Sequence, residues 1–179
     1  MKKLILFAIA VIAASLLVVV AKAAGESPAV GSQAPEFKLQ DQDGAWHNLS
    51  DYRGSWLALY FYPRDDTPGC TTEACNFRDS KFAYEAIGAK VVGVSVDDVE
   101  SHKAFEEKYK LPFTLLADPE GKTCAEYGVL RDYKLAKIAA RQTFIIDPDG
   151  NIAKHYEDVD PETHSSEVLA DLERMMKQM

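Results

Sequence analysis

Cysteine is scarce in this chain, with three residues in 179, at positions 70, 75 and 124. That is too few to staple a small disulfide-framed fold, and an odd count leaves one thiol over even when a single bridge forms. Histidine is sparse as well. His47, His102, His155 and His164 are scattered on segments read as surface elements, and none stands beside the cysteine pair, so zinc has no support. Glycines such as Gly121 and Gly128 are isolated turn residues, and no phosphate-cradling loop is present. There is no low-complexity tract, internal repeat or second domain. Positive charge is in deficit, 20 Lys and Arg against 28 Asp and Glu, for a net charge of −8. Setting aside residues 1–23 removes Lys2, Lys3 and Lys22 and no acid, leaving −11. A domain this acidic repels phosphate backbones, which argues against nucleic acid as a partner.

What is present begins with a targeting pattern. Met1-Lys-Lys is a positive start, residues 4–21 are apolar except for Ser15, and Ala21-Lys22-Ala23 gives a small-x-small cleavage pattern. Residues 1–23 therefore resemble a secretory signal peptide, with an uncleaved membrane anchor as the rival because the run approaches spanning length. Either reading exports the domain, and the short two-lysine start looks bacterial. The expected location is the periplasm or the outer face of the inner membrane, with membrane contact only if the segment stays uncleaved.

Residues 24–34 read as a flexible lead-in, and residues 35–179 as the folded domain. Phe37–Leu39 and Trp46–Leu49 flank the turn Asp41-Gln-Asp-Gly44 and predict a β-hairpin. Trp56–Tyr62 is apolar on both faces, which predicts a central strand. A helix over 71–87 follows, with Ala74, Phe77, Phe82 and Ile87 on one face and Gly88 as its stop. Lys90–Val96 predicts a second buried strand, and Asp98 caps a helix through about Lys110. Phe113–Leu116 is a short strand, 120–127 a short helix, and 129–140 reads as a loop. Thr143–Ile146 and Ile152–Tyr156 form a hairpin around Asp147-Pro-Asp-Gly150. Asp160-Pro161 starts a last helix whose apolar face is Val168, Leu169, Leu172, Met175 and Met176. The alternation predicts an α/β domain with one mixed central sheet, helices on both faces and an N-terminal β-hairpin, which fits a thioredoxin-like fold.

The stretch Pro63-Arg-Asp-Asp-Thr-Pro-Gly-Cys-Thr-Thr-Glu-Ala-Cys75 carries the chemistry. A cysteine where a turn gives way to a helix feels the unpaired N–H groups of the first turn, which favour thiolate over thiol. Cys70 stands there, and Cys75 follows five residues on as a local partner. Thr67 lies one turn upstream, with a hydroxyl able to accept and donate hydrogen bonds. Taken singly, each residue has a plainer role. Cys70 and Cys75 could be small buried hydrophobes, Thr67-Pro68 turn chemistry, Pro63 a strand stop and Arg141 a surface arginine. Their joint arrangement around one turn favours catalysis.

Pro63-x-x-x-Thr67-x-x-Cys70 resembles the signature of peroxiredoxins, and Phe61–Cys75 as a whole is similar to the peroxiredoxin Q (bacterioferritin comigratory protein) branch. The resemblance covers roughly residues 30–179. It includes Ala34-Pro35-Glu-Phe37, Val91–Ser95, Phe113–Asp118 and Arg141-Gln-Thr-Phe-Ile-Ile-Asp147. It implies a thiol-dependent peroxidase acting on hydrogen peroxide and organic hydroperoxides, with no metal, haem or flavin. Cys70 would be the attacking thiolate, exposed to its substrate, and Cys75 the residue that resolves its sulfenic acid. Arg141 would supply fixed positive charge that favours the thiolate and steadies the oxygens, and Pro63 would shield the site from water. The implied reductant is thioredoxin, or an envelope thioredoxin-like dithiol for an exported domain, and the implied oligomeric state is monomeric.

Spacing adds a mechanical condition. Residues five apart in a helix are separated by about 7.5 Å of rise, and a disulfide needs Cα atoms within about 7 Å and converging Cβ vectors. Cys70 and Cys75 therefore cannot bond while the helix between them is intact. Cys124 is claimed by no motif and reads as structurally buried. Two rivals remain. An exported thiol–disulfide oxidoreductase would share the fold but usually carries Cys-x-x-Cys, and a copper carrier would need further soft ligands.

Overall fold

The computed structural model describes residues 25–133 and 136–178, so the expected signal or anchor at 1–23 lies outside the described residues. Two strands begin the domain, β1 (Lys38–Asp41) and β2 (Trp46–Asn48), paired antiparallel with Leu39 opposite His47. β3 (Leu57–Phe61) follows a 3-10 turn, and then come α1 (Pro68–Asp79), α2 (Lys81–Ala86) and β4 (Lys90–Ser95). The chain continues through α3 (Val99–Tyr109), β5 (Thr114–Ala117), α4 (Lys122–Glu126), β6 (Leu130–Tyr133) and β7 (Ala136–Ala139). It ends with β8 (Gln142–Ile146), β9 (Ile152–Tyr156) and α5 (His164–Met176).

Seven strands form one mixed sheet in the order β2-β1-β5-β4-β3-β8-β9. β3, β4 and β5 run parallel, while β1, β8 and β9 pair antiparallel with their neighbours. β3 is central, and every residue in it is buried. Its alternate side chains feed two cores, as a period of two requires. Leu57, Leu59 and Phe61 join Val92, Val94, Leu116 and Phe144 on one face, covered by Cys124 of α4 and by Tyr127 and Val129. Ala58, Tyr60 and Tyr62 join Leu115 and Ile145 on the other, covered by Cys70, Ala74 and Phe77 of α1, Tyr84 of α2, Phe105 of α3, and Val168 and Leu172 of α5. A fully buried aromatic such as Phe77 is worth about 3–5 kcal/mol against alanine. Gly93 of β4 is required by this packing, because a Cβ there would stand 2.7 Å from the Tyr60 ring.

The thioredoxin-like architecture agrees with the sequence reading, and several details differ. The helix expected over 71–87 starts at Pro68, where proline at the first helical position costs no hydrogen bond. It breaks at Ser80, whose amide still bonds the Asn76 carbonyl while α2 restarts on a new phase. Phe82 is therefore 81% exposed instead of inward-facing, and Tyr84 takes the buried place. The stretch expected to be a loop, 129–140, carries two strands among its described residues. β6 and β7 pair antiparallel, Leu130 opposite Ala139, as a separate two-stranded sheet whose exposed Arg131, Asp132 and Tyr133 gave no apolar alternation to read. The last helix begins at His164 rather than Pro161, while Asp160 closes the preceding turn by accepting the Thr163 and His164 amides on its carbonyl. His102 and His164 are fully buried, contrary to the surface placement expected of all four histidines.

Candidate active site

The antiparallel register of β3 and β8 builds the site. Phe61 pairs with Gln142, so the residues leaving β3 toward Pro63 and those entering β8 from Arg141 meet at one end of the sheet. Half-buried Pro63 ends the strand run, and residues 64–66 turn the chain back. Thr67, in extended conformation, is the N-cap of α1, and its carbonyl accepts the Thr71 amide at 2.8 Å. Cys70 is the third helical residue, within the turn whose N–H groups lack helical partners.

Arg141 closes the arrangement. Its Nη2 donates to Cys70 Sγ at 3.2 Å, and its Nη1 pairs with Glu73 Oε2. Its guanidinium holds its proton more firmly than an ordinary arginine does. Burial works against the cation, and Glu73 and Cys70 outweigh that burial. A Cβ placed on Gly69 would lie 3.2 Å from Arg141 Nη2 and 3.6 Å from Pro161 Cγ, so both side chains lie against the helix start. Asn76 holds the far side by donating to the carbonyls of Pro161 and Glu162, each at 3.0 Å.

Thr67, Cys70 and Arg141 thus occupy one site, but two expectations about it differ. Cys70 is 1% exposed, because its side chain points into the core with Tyr60 and Ala74 instead of standing free in solvent. The Thr67 hydroxyl donates to the Arg64 carbonyl at 3.1 Å, so it must rotate to donate to a substrate or sulfur. Cys75 is half-buried in the same helix α1, and all three cysteines are free thiols. Cys124 is fully buried, and burial, reinforced by Asp118, pushes its thiol far up. Among the described residues, no group of three or more His, Cys, Asp or Glu side chains is placed to hold a metal ion.

Glu73 is the member that sequence reasoning missed. It is fully buried, its Oε1 has no hydrogen-bond partner, and burial pushes its carboxyl up to about 7 against the pull of Arg141. A raised value means the folded state holds the proton more tightly than the unfolded one. The resulting stabilisation is full below the ordinary value of 4.5 and is lost as pH rises through about 7. The stability advantage of the parent over Glu73→Gln should therefore shrink from pH 4.5 to 7. Urea unfolding of both proteins across that range measures it, and a pH-independent difference would rule the assignment out.

The comparisons with known proteins point to one family. Residues 30–155 match the AhpC/TSA family. Peroxiredoxin Q of rice, Oryza sativa subsp. japonica, a chloroplastic protein, is 46% identical over 146 residues, covering 81% of this chain and 67% of that one. A peroxiredoxin bcp of Coxiella burnetii is 44% identical over 147 residues, covering 80% of this chain and 97% of that one. The solved structure of the bacterioferritin comigratory protein of Xanthomonas campestris, described for its alkyl peroxide reduction activity, superposes with a TM-score of 0.76 at 30% identity. That match covers 82% of this chain and 99% of the other. The chain spans about two thirds of the chloroplastic relative and nearly all of the bacterial ones. With the family matched through both the helix carrying Cys70 and the strand entered from Arg141, the chain belongs to the AhpC/TSA family, in its peroxiredoxin Q branch of thiol peroxidases.

Proposed function

We propose that the chain reduces hydrogen peroxide and organic hydroperoxides by a two-cysteine cycle. The observation that carries this is the Arg141 guanidinium 3.2 Å from a thiol in the first turn of a helix. There the cation and the free N–H groups both favour negative sulfur. The Cys70 thiolate attacks one peroxide oxygen, an S–O bond forms and the O–O bond breaks. The departing oxide takes a proton and leaves as water or alcohol. Arg141 stabilises charge on the oxygens, the rotated Thr67 hydroxyl orients them, and Pro63 keeps water back. Cys75 then attacks the Cys70 sulfenic acid, an S–S bond forms, and hydroxide leaves as water after protonation. An external dithiol, thioredoxin or an envelope thioredoxin-like protein, reduces the bridge. The alkyl peroxide reduction described for the Xanthomonas relative supports including organic substrates.

In this reading residues 1–23 export the chain or anchor it, 24–34 lead in, and 35–179 act as a monomer in the periplasm or on the outer face of the inner membrane. The test is to mix reduced protein with hydrogen peroxide and follow its mass after rapid quenching. Addition of one oxygen, followed by its loss as a disulfide links residues 70 and 75, is the expected sequence. An exported thiol–disulfide oxidoreductase would exchange with disulfides and leave the peroxide unconsumed.

Both cysteines lie in α1, so resolution must unwind part of that helix. Amides of residues 70–76 should exchange with solvent markedly faster in the disulfide form than in the reduced form. Equal protection in the two redox states would overturn local unwinding.

A further inference from the structure

The turn between β3 and α1 is tied down by a buried polar cluster that the chemistry above does not use. Asp65 is buried, and its carboxylate accepts the Tyr62 hydroxyl at 2.7 Å, the Ser101 hydroxyl at 2.7 Å and His102 Nδ1 at 2.8 Å. Its backbone N–H donates to Asp97 Oδ2 at 2.9 Å, and Ser95 Oγ donates to that same oxygen at 2.7 Å. His102 is itself fully buried, and its Nε2 has no partner. The next residue, Asp66, sits at φ 56°, in the left-handed region that few residues other than glycine, asparagine and aspartate adopt. Its carboxylate accepts from Lys108 Nζ at 2.6 Å and from the Tyr109 hydroxyl. Ser101, His102, Lys108 and Tyr109 all belong to α3. On the far side of the reactive segment, Arg78 Nη1 donates to the Tyr109 carbonyl at 2.8 Å. One helix therefore grips the chain before Thr67 and again after Cys75.

We propose that Asp65 and His102 are a positioning pair for peroxide reduction. They hold the turn that presents Thr67 and Cys70 to the substrate, and keep its entrance fixed while the first turns of α1 open for Cys75. A buried polar pair adds little net stability, because desolvation offsets its attraction, but a carboxylate with three side-chain donors fixes geometry. Residues 64–67 have no helix or strand of their own, so that geometry comes from their neighbours, chiefly α3 together with Asp97 and Tyr62. Attack on peroxide depends on placement to a fraction of an ångström, whereas disulfide formation requires the segment to loosen. Breaking the pair should therefore slow the first step without slowing the second.

The inference rests on the proposed peroxidase cycle, and the experiment separates the two. Reduced full chain is mixed with hydrogen peroxide, and the peroxide-dependent oxidation of Cys70 and the peroxide-independent formation of the disulfide are timed separately. If the parent never forms Cys70 sulfenic acid, the peroxidase reading itself fails. In His102→Leu the oxidation rate constant should fall about tenfold to a hundredfold, while the disulfide step stays at the parent rate or quickens. His102→Asn, whose amide nitrogen can replace Nδ1 as the donor to Asp65, should recover most of the loss. Asp66→Asn keeps a residue tolerant of the left-handed conformation and removes the Lys108 ion pair, so it gives a smaller change of the same pattern. It decides the matter if the core variants do not fold. Folded variants that oxidise at the parent rate, or that lose both steps by one common factor, would overturn the pair's positioning role.

Discussion

Replacing Cys70 with serine should drop peroxide consumption to the rate of buffer alone, while the other two cysteines give different outcomes. Serine occupies nearly the same volume in this fully buried position and can still accept a hydrogen bond from Arg141. The fold therefore has little reason to fail. What disappears is a polarisable sulfur nucleophile, and the hydroxyl that replaces it attacks peroxide oxygen poorly. Cys75→Ser should still consume one equivalent of peroxide and then stop as the sulfenic acid, because Cys75 enters only at the second bond-forming step. Cys124→Ala should cycle at the parent rate. That thiol is shut in the opposite core beneath the sheet, and burial keeps it protonated. Stopped-flow peroxide consumption with mass analysis of each variant separates the three. A Cys70→Ser protein that consumes peroxide at the parent rate would remove the basis of the proposed cycle.

The parts of this arrangement that were legible in the sequence are those carried by local pattern. β3 is apolar at every position, and only a central strand with a core on each face accommodates that. Cys70 sits just past Pro68-Gly69, and a proline–glycine turn before a helical segment is readable as a helix start. Arg141 lies 71 residues from Cys70, and only the family resemblance linked them, because the β3–β8 register that brings them together leaves no mark in either segment. Glu73 did leave a trace. Cys70, Glu73, Ala74 and Phe77 follow helical spacing along one buried stripe, so periodicity places the carboxylate inside even though its charge suggests a solvated face. His102 stands three residues before Phe105 on the inward side of α3, which is a similar trace. Its partner Asp65 is 37 residues away, and no periodicity connects them. The break at Ser80 and the β6–β7 pair went unread for another reason. Helix phase and backbone pairing were decided there by packing and by main-chain hydrogen bonds rather than by apolar spacing.

Arg141→Met should slow Cys70 oxidation by about two to three orders of magnitude, the usual cost of losing one preorganised donor aimed at developing charge. Methionine keeps the length and apolar stem of arginine while removing both contacts of the guanidinium, to Cys70 Sγ and to Glu73. The second loss complicates the first. Stripping the cation from a buried ion pair costs about 3–5 kcal/mol when the remaining charge stays ionised. Glu73 has an escape, because its carboxyl already titrates near 7 and without Arg141 it will hold its proton still more firmly. Arg141→Met should therefore fold close to normally at pH 6 and lose stability relative to the parent as pH rises above 7. Adding Glu73→Gln removes the titrating group, so the double variant should lose that extra pH-dependent destabilisation without recovering the oxidation rate. Urea unfolding from pH 6 to 9, paired with stopped-flow oxidation of the three proteins, tests both halves. If Glu73→Gln restored the rate in the Arg141→Met background, the defect would lie in an unneutralised carboxylate beside the thiol. Arg141 would then act by silencing Glu73 instead of by stabilising the reacting oxygens.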